Sequence, residues 1–309
     1  MGLVRIGIIG TGHVGSHVAS GLLSRGVGDE LILLDSDRPK AERQAQDLAD
    51  AAAFAARPVR IRAGDYQDLQ TADLVVVCAS GPLFKADRLE ELADNLAIMR
   101  QVAAGLNALD YRGLLLAITN PCDVLAWFLA QQTRARVIGT GTLLDSARFR
   151  SALARQTGVA PQHIQAYCLG EHGDSQVLAW SAVSLMGLPL AHLAEQWPAR
   201  FGRLDRVAIT RQVVKAGWDI VQGKGSTEFG IGAATAELAQ ALLGDEQRIL
   251  PCSVPLTGQY GQTSVFASLP CLLGRQGVEA IVPLPLSAAE TSALAASCQR
   301  LRHYQQQCG

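Results

Sequence analysis

Gly10-Thr11-Gly12-His13-Val14-Gly15, entered from the apolar run Val4 to Ile9 and followed by a potential helix over Ser16 to Ser24, decides the fold of this 309-residue chain. Gly10 permits a tight turn, Gly12 leaves the backbone open to a pyrophosphate, and Gly15 lets a helix pack close to the strand, with phosphate at the helix N-terminus. His13 and Val14 complete the loop, His13 as a solvent-facing spacer. Glycines after a strand are by themselves often only a turn. The context here is Asp35, about 20 residues further on, where a carboxylate can accept hydrogen bonds from an adenosine ribose and repel the extra phosphate of NADP. Read alone, Asp35 could be a strand-end cap, and Arg38 nearby keeps dual use open, but the joint pattern points to NAD.

Outward from that loop, apolar runs alternate with helical patterns. Val4 to Ile9, Leu31 to Leu34, Val59 to Arg62, Leu74 to Cys78 and Leu114 to Ile118 are expected to be short strands, the first four buried on both faces. Such alternation predicts a parallel, doubly wound α/β sheet. The carboxyl ends of its later strands should open on the same crevice, which brings in Ala79, Ser80 and Gly81 and the segment Thr119 to Asp123. Asn120 could orient a ring or a carbonyl there, or simply form a turn before Pro121. Arg88 stands between Gly81 and an amphipathic helix with apolar positions Leu89, Leu92, Leu96, Met99, Val102, Leu106 and Leu109. A cation on a loop leaving the crevice could close over a substrate.

Val137 to Thr142 reads as the last strand of this platform, which places a boundary between residues 1–142 and 143–309. Beyond it, Val159 to Leu169 reads as strand, Gln176 to Met186 as strand-like with mixed character, Arg206 to Gln222 and Gly230 to Leu243 as helices, and Ile249 to Val282 as hairpin-like strands. Ser287-Ala288-Ala289-Glu290 is a capping box opening a final helix to about Gln306. The second half is thus expected to be α+β.

Composition removes several classes of function. Lys+Arg of 27 against Asp+Glu of 28 leaves a net charge of -1, with no global field to attract nucleic acid or an anionic membrane. The seven cysteines are scattered and lack CxxC spacing, so reduced thiols in a cytoplasm are expected, and no metal site. The stretch Val177 to Leu190 falls short of the ~18 apolar residues a membrane span needs and reads as buried interior. Met1 leads directly into a strand-like run, without the pattern of an export signal.

The chemistry is carried by Gly170-Glu171-His172-Gly173-Asp174-Ser175 together with Leu144-Asp145-Ser146-Ala147-Arg148. Asp145 and Arg148 share a helix face, so a substrate carboxylate on Arg148 would lie near whatever Asp145 orients. If that is His172, the pair is an acid–base site: a carboxylate fixes the imidazole tautomer and stabilises its charged form. The bland alternatives are a structural histidine and an Asp145–Arg148 pair that merely supports its helix.

GTGHVG, TNPCD at 119–123, GTGTLLDSARFR at 139–150, GEHGDS at 170–175 and GKGST at 223–227 together resemble the L-lactate/malate dehydrogenase superfamily across nearly the whole chain. Ala179-Trp180-Ser181 resembles its lactate and L-2-hydroxyisocaproate branch. The resemblance implies a Rossmann domain that binds NAD, a substrate domain, and oxidation of an L-2-hydroxy acid to a 2-oxo acid by a cytoplasmic homodimer or homotetramer. It implies that His172 takes the hydroxyl proton, Asp145 stabilises the imidazolium and Arg148 grips the substrate carboxylate through two hydrogen bonds. It further implies that Arg88 polarises the carbonyl, that Asn120 contacts substrate and nicotinamide, and that Thr227 and Ile231 line the pocket.

Departures from the family pattern bear on the substrate. The segment Gly81 to Arg88 is shorter than usual by about two residues, and it carries the family's discriminator between lactate and malate. Leu83 or Phe84 there would favour larger hydrophobic side chains, whereas Lys85 would favour a second anionic group. Glu228 would repel a dicarboxylate if it faces the pocket, so a monocarboxylate is expected. Arg150 is present where fructose-bisphosphate-regulated relatives carry an arginine, but Gln165 stands in place of their histidine, so no sugar-phosphate activation is expected. The competing readings are a malate dehydrogenase, an NAD-dependent glycosidase with a divalent metal, and a non-catalytic nucleotide sensor.

Overall fold

The structure, a computed structural model, describes residues 2–81 and 88–308. The readings of Leu83, Phe84, Lys85 and the Arg88 side chain lie outside the described residues.

The first half alternates as expected: β1 (Arg5–Ile9), α1 (His13–Arg25), β2 (Glu30–Leu34), α2 (Arg38–Ala52), β3 (Arg60–Ala63), β4 (Leu74–Val77), α3 (Arg88–Ala108), β5 (Leu114–Ala117), α4 (Cys122–Gln132) and β6 (Arg136–Gly139). The parallel strands run in the order β3-β2-β1-β4-β5-β6, so the chain reverses direction across the sheet between β1 and β4. A ligand crevice opens at such a switch point, beyond the carboxyl ends of the strands. β2, β4 and β5 are buried at every residue, which explains their continuous apolar runs, whereas β3, expected to be buried on both faces, is an edge strand with Arg60 exposed and residues 61–63 half-buried. α2 starts cleanly because Asp37 accepts the Lys40 N–H at 3.1 Å with Pro39 in the first turn.

The second half comprises α5 (Leu143–Thr157), the short strands β7 (Ile164–Gln165), β8 (Cys168–Leu169), β9 (Val177–Leu178), β10 (Ser184–Leu185) and β11 (Leu188–Pro189), and the helices α6 (Leu190–Gln196), α7 (Pro198–Phe201), α8 (Arg206–Lys224) and α9 (Phe229–Leu243). Then follow β12 (Arg248–Thr257), β13 (Thr263–Gly274), β14 (Gly277–Ile281) and α10 (Ala288–Gln305). These last three strands are antiparallel, and β12 joins the edge of β6 through Ser253 and Gly139, giving one nine-stranded mixed sheet. The Ser287/Glu290 capping box forms in both directions at the start of α10.

Two expectations for the second half need correction. Val159 to Leu169 and Gln176 to Met186 are not continuous strands: turns over Pro161–His163 and Trp180–Ala182 break them into two-residue pieces. Pro161 opens the first turn, and the paired partner β10 offers only Ser184 and Leu185. Val177 to Leu190 is not wholly interior either. Met186 is 71% exposed and Leu188 43%, because Met186 and Gly187 turn outward at positive φ between β10 and β11.

One apolar core spans the large sheet and its flanking helices, and a second gathers α5, β7, β8, α6 and α8 around Phe149. Among the described residues no helix is long and apolar enough to cross a membrane, and the seven cysteines are free, six of them buried.

Candidate active site

The glycine loop has the geometry its spacing implies. Gly10 has φ +91°, and a Cβ there would lie 2.5 Å from the backbone of Ala79 at the end of β4. A Cβ on Gly15 would stand 1.9 Å from the Gly10 carbonyl oxygen. A Cβ at Gly12 would meet only the Lys40 Nζ, at 3.9 Å, so the approach to the N–H groups at the start of α1 is open. This combination fits a dinucleotide: Gly10 and Gly15 are needed for packing, and Gly12 for a ligand.

Asp35 is less free than expected. Its Oδ2 accepts the Thr11 N–H at 2.7 Å and the Thr11 hydroxyl at 2.9 Å, with Lys40 Nζ 3.6 Å away, and Oδ1 accepts the Asp37 N–H at 3.1 Å. Burial works to raise its pKa, but the Thr11 and Asp37 hydrogen bonds and the Lys40 charge outweigh it, and the carboxyl stays ionised below its ordinary range. Lys40, which the sequence reading passed over, therefore serves both the carboxylate and the open face of Gly12; its signal was a lysine in the first turn after Asp35.

At the other strand ends, Ala79 is half-buried and Ser80 exposed. Asn95 on α3, 3% exposed, receives the Gly81 N–H on Oδ1 at 2.8 Å and donates from Nδ2 to the Asn120 carbonyl at 2.7 Å. It thereby ties the ends of β4 and β5 together. Asn120 is itself exposed beside the crevice and precedes a cis peptide bond to Pro121. Asn95 was invisible in sequence because it sits inside a regular apolar pattern.

His172 and Asp145 do meet. His172 Nδ1 lies 2.5 Å from Asp145 Oδ2, and Arg148 Nη1 donates to Asp145 Oδ1 at 2.8 Å. Asp145 is 1% exposed, in the first turn of α5, while the side chains of Arg148 and His172 keep 16% and 25% exposure. Burial pushes Asp145 up, yet the charge and hydrogen bond of His172 and then those of Arg148 hold the carboxyl below its ordinary value. For His172, burial pushes the pKa down, and the charge and hydrogen bond of Asp145 prevail, leaving it raised. The buried carboxylate thus keeps Nδ1 protonated and leaves Nε2 for proton exchange.

α8 and α9 border this site. A Cβ on Gly217 would touch Arg148 Nη1 at 3.6 Å, and one on Gly230 would lie 2.9 Å from Leu144 Cδ1. Thr227, half-buried, lies in the link between the two helices, and Ile231, also half-buried, packs on the main core. Glu228 does not stand free over a pocket: it is bound by Lys224, accepts the Ser226 hydroxyl at 2.9 Å and lies 3.3 Å from His13 Nδ1. Its charge is therefore directed to the glycine loop, and His13, exposed as expected, has a carboxylate neighbour.

A doubly wound sheet with this glycine loop, joined to a histidine held by a buried aspartate beside an arginine, defines a nucleotide-binding dehydrogenase. Residues 4–139 match the family described as lactate/malate dehydrogenase, NAD binding domain, and residues 142–308 match lactate/malate dehydrogenase, alpha/beta C-terminal domain. The chain belongs to the lactate/malate dehydrogenase family. It is 37% identical to an L-lactate dehydrogenase of Fusobacterium nucleatum over 97% of this chain and 95% of that one. It is 38% identical to L-lactate dehydrogenase 3 of Bacillus cereus, over 99% and 98% of the two chains. Among solved structures, a lactate dehydrogenase from a Medee basin deep-sea metagenome library superposes with TM-score 0.95 at 35% identity, covering 100% of this chain and 99% of that one. The minor L-lactate dehydrogenase of Enterococcus mundtii gives 0.95 at 33%, covering 99% and 98%.

Proposed function

We propose that this chain is an NAD-dependent L-2-hydroxy-acid dehydrogenase of the lactate type, interconverting a small hydroxy monocarboxylate and its 2-oxo acid. The observation that carries the reading is the 2.5 Å contact between His172 and the buried Asp145, with Arg148 on the same carboxylate. Gly10, Gly12, His13, Val14, Gly15, Asp35, Lys40, Ala79, Ser80, Gly81 and Asn120 would hold the dinucleotide, whose nicotinamide supplies the hydride acceptor in oxidation and the donor in reduction. His172 Nε2 takes the hydroxyl proton during oxidation and returns it during reduction. Asp145 stabilises the imidazolium, and Arg148 binds the substrate carboxylate with the donors it does not direct at Asp145. Arg88 polarises the carbonyl, and Thr227 and Ile231 border the substrate.

On this reading residues 1–142 form the NAD-binding domain and 143–309 the substrate domain, and the enzyme works in the cytoplasm as a homodimer or homotetramer. Malate chemistry is disfavoured because the relatives that this chain matches at 37–38% identity are L-lactate dehydrogenases. The test is kcat/KM for pyruvate, 2-oxoisocaproate and oxaloacetate at fixed NADH. A monocarboxylate should be preferred by at least about tenfold, equivalent to about 1.4 kcal/mol of differential transition-state binding. Preference for oxaloacetate, or no turnover of any 2-oxo acid, contradicts the reading.

A further inference from the structure

The mechanism above uses His172 and Asp145 but leaves a second buried carboxylate without a role. Asp123, in the first turn of α4, is 1% exposed, and its Oδ2 accepts the backbone N–H of His172 at 2.7 Å. Its Oδ1 lies 3.5 Å from the Ser268 hydroxyl on β13. That hydroxyl accepts the N–H of Thr142 at 3.0 Å, and Thr142 is the N-cap residue of α5, whose first turn carries Asp145. The backbone of Ser268 in turn bonds Gly170 in both directions at 2.9 Å. One carboxylate therefore joins the entrance of α4, the middle of β13, the entrance of α5 and the histidine loop.

We infer that Asp123 is a positioning residue for the acid–base step: it sets the His172 loop in register with Asp145 and backs the imidazolium with a second negative charge. The inference rests on His172 being the acid–base group. Burying an ionised carboxylate is expensive, and a neutral acceptor would have held the His172 amide equally well. The retained charge is therefore aimed at something cationic, and the imidazole is the cationic group that acts on it: after Asp145, Asp123 is the next contributor to the raised pKa of His172.

The groups facing Asp123 are His172 and Glu171 from the histidine loop, Cys122 on its own helix, Cys298 on α10, and the hydroxyls of Ser253 on β12 and Ser268 on β13. Burial, the largest influence, pushes the carboxyl up to about 6 against the nearby Ser253 hydroxyl and the hydrogen bond from the His172 amide. Above that pH Asp123 is ionised and supports the imidazolium; below it, the support is withdrawn.

The test uses Asp123→Asn, which keeps an oxygen for the His172 N–H and removes the charge. Diethyl pyrocarbonate acylates neutral imidazole, so the pH dependence of His172 modification, followed peptide by peptide by mass spectrometry, titrates His172 without requiring turnover. The midpoint should move to lower pH in Asp123→Asn, and kcat/KM for 2-oxo acid reduction at pH 8 should fall by about tenfold, the effect of a one-unit shift. An unchanged His172 midpoint in the variant overturns the inference whatever happens to turnover. A shifted midpoint in a protein that reduces no 2-oxo acid would instead refute the proposed reaction and leave the Asp123–His172 coupling standing.

Discussion

Replacing Asp145 by Asn is the most demanding test of the proposed chemistry, because it preserves volume and removes only the charge. In the structure that carboxylate is 1% exposed and paired with His172 at 2.5 Å and Arg148 at 2.8 Å. A hydrogen bond to a charged group contributes about 1.5–3 kcal/mol, so losing the His172 half alone weakens the transition state by about 10- to 150-fold. An amide can also donate to Nδ1 and drive the ring proton onto Nε2, the wrong tautomer for accepting a proton. Together these effects predict a loss of about 10²- to 10⁴-fold in kcat/KM. The pH profile should change as well. Asp145 raises the His172 pKa above its ordinary 6.5, so without it the alkaline limb of 2-oxo acid reduction moves to lower pH. The stability signs are opposite for the two partners. The raised pKa of His172 stabilises the fold below pH 6.5, and that contribution disappears as pH rises through the raised value. The lowered pKa of Asp145 stabilises it above 3.8, and that contribution disappears as pH falls through the lowered value. Steady-state reduction across pH 5–9 measures the effect, with NADH fluorescence titration confirming that cofactor binding survives. A variant within about threefold of the parent, with an unmoved alkaline limb, would refute the assignment of Asp145.

Other outcomes follow from particular contacts. Gly15→Ala places a Cβ 1.9 Å from the Gly10 carbonyl, a backbone atom with little room to move. It should cost about 1–3 kcal/mol of stability and weaken NADH binding, read by thermal denaturation and fluorescence titration; a variant with parental Tm and affinity contradicts the loop geometry. Adding fructose bisphosphate should leave the apparent substrate KM unchanged. Arg150 and Gln165 line one cavity of about 460 Å³ with Tyr167, Glu237 and Arg248, but the cavity carries no imidazole and an acidic side chain is already present. A fall in KM on titrating the sugar phosphate would show that this cavity is an activating site after all.

Much of this architecture could be read from local pattern because its causes are local. The runs at β1, β2, β4 and β5 are apolar at consecutive positions since both faces of a parallel strand are covered. Gly10, Gly12 and Gly15 announce the loop because each meets a different backbone requirement at fixed spacing. The short strands β7 to β10 could not be separated in this way: each has only two residues, and pairing partners rather than periodicity define them. Asn95 escaped notice for a related reason, since it gains its meaning only from Gly81 and Asn120, 14 and 25 positions away.

By itself the sequence determined the doubly wound platform, the residues that could carry acid–base chemistry and the family pattern that joins them. Tertiary structure decided which of those residues are partners. It brings His172 onto Asp145 across 27 positions, places the unforeseen Asp123 behind the histidine from 49 positions away, and turns Glu228 toward His13. It also continues the parallel sheet into the antiparallel strands β12 to β14 through a single Ser253–Gly139 register pair. The physical reason is that glycine turns and apolar periodicity act over a few residues, whereas the ionisation of a buried carboxylate depends on every charge and donor that the completed fold packs around it.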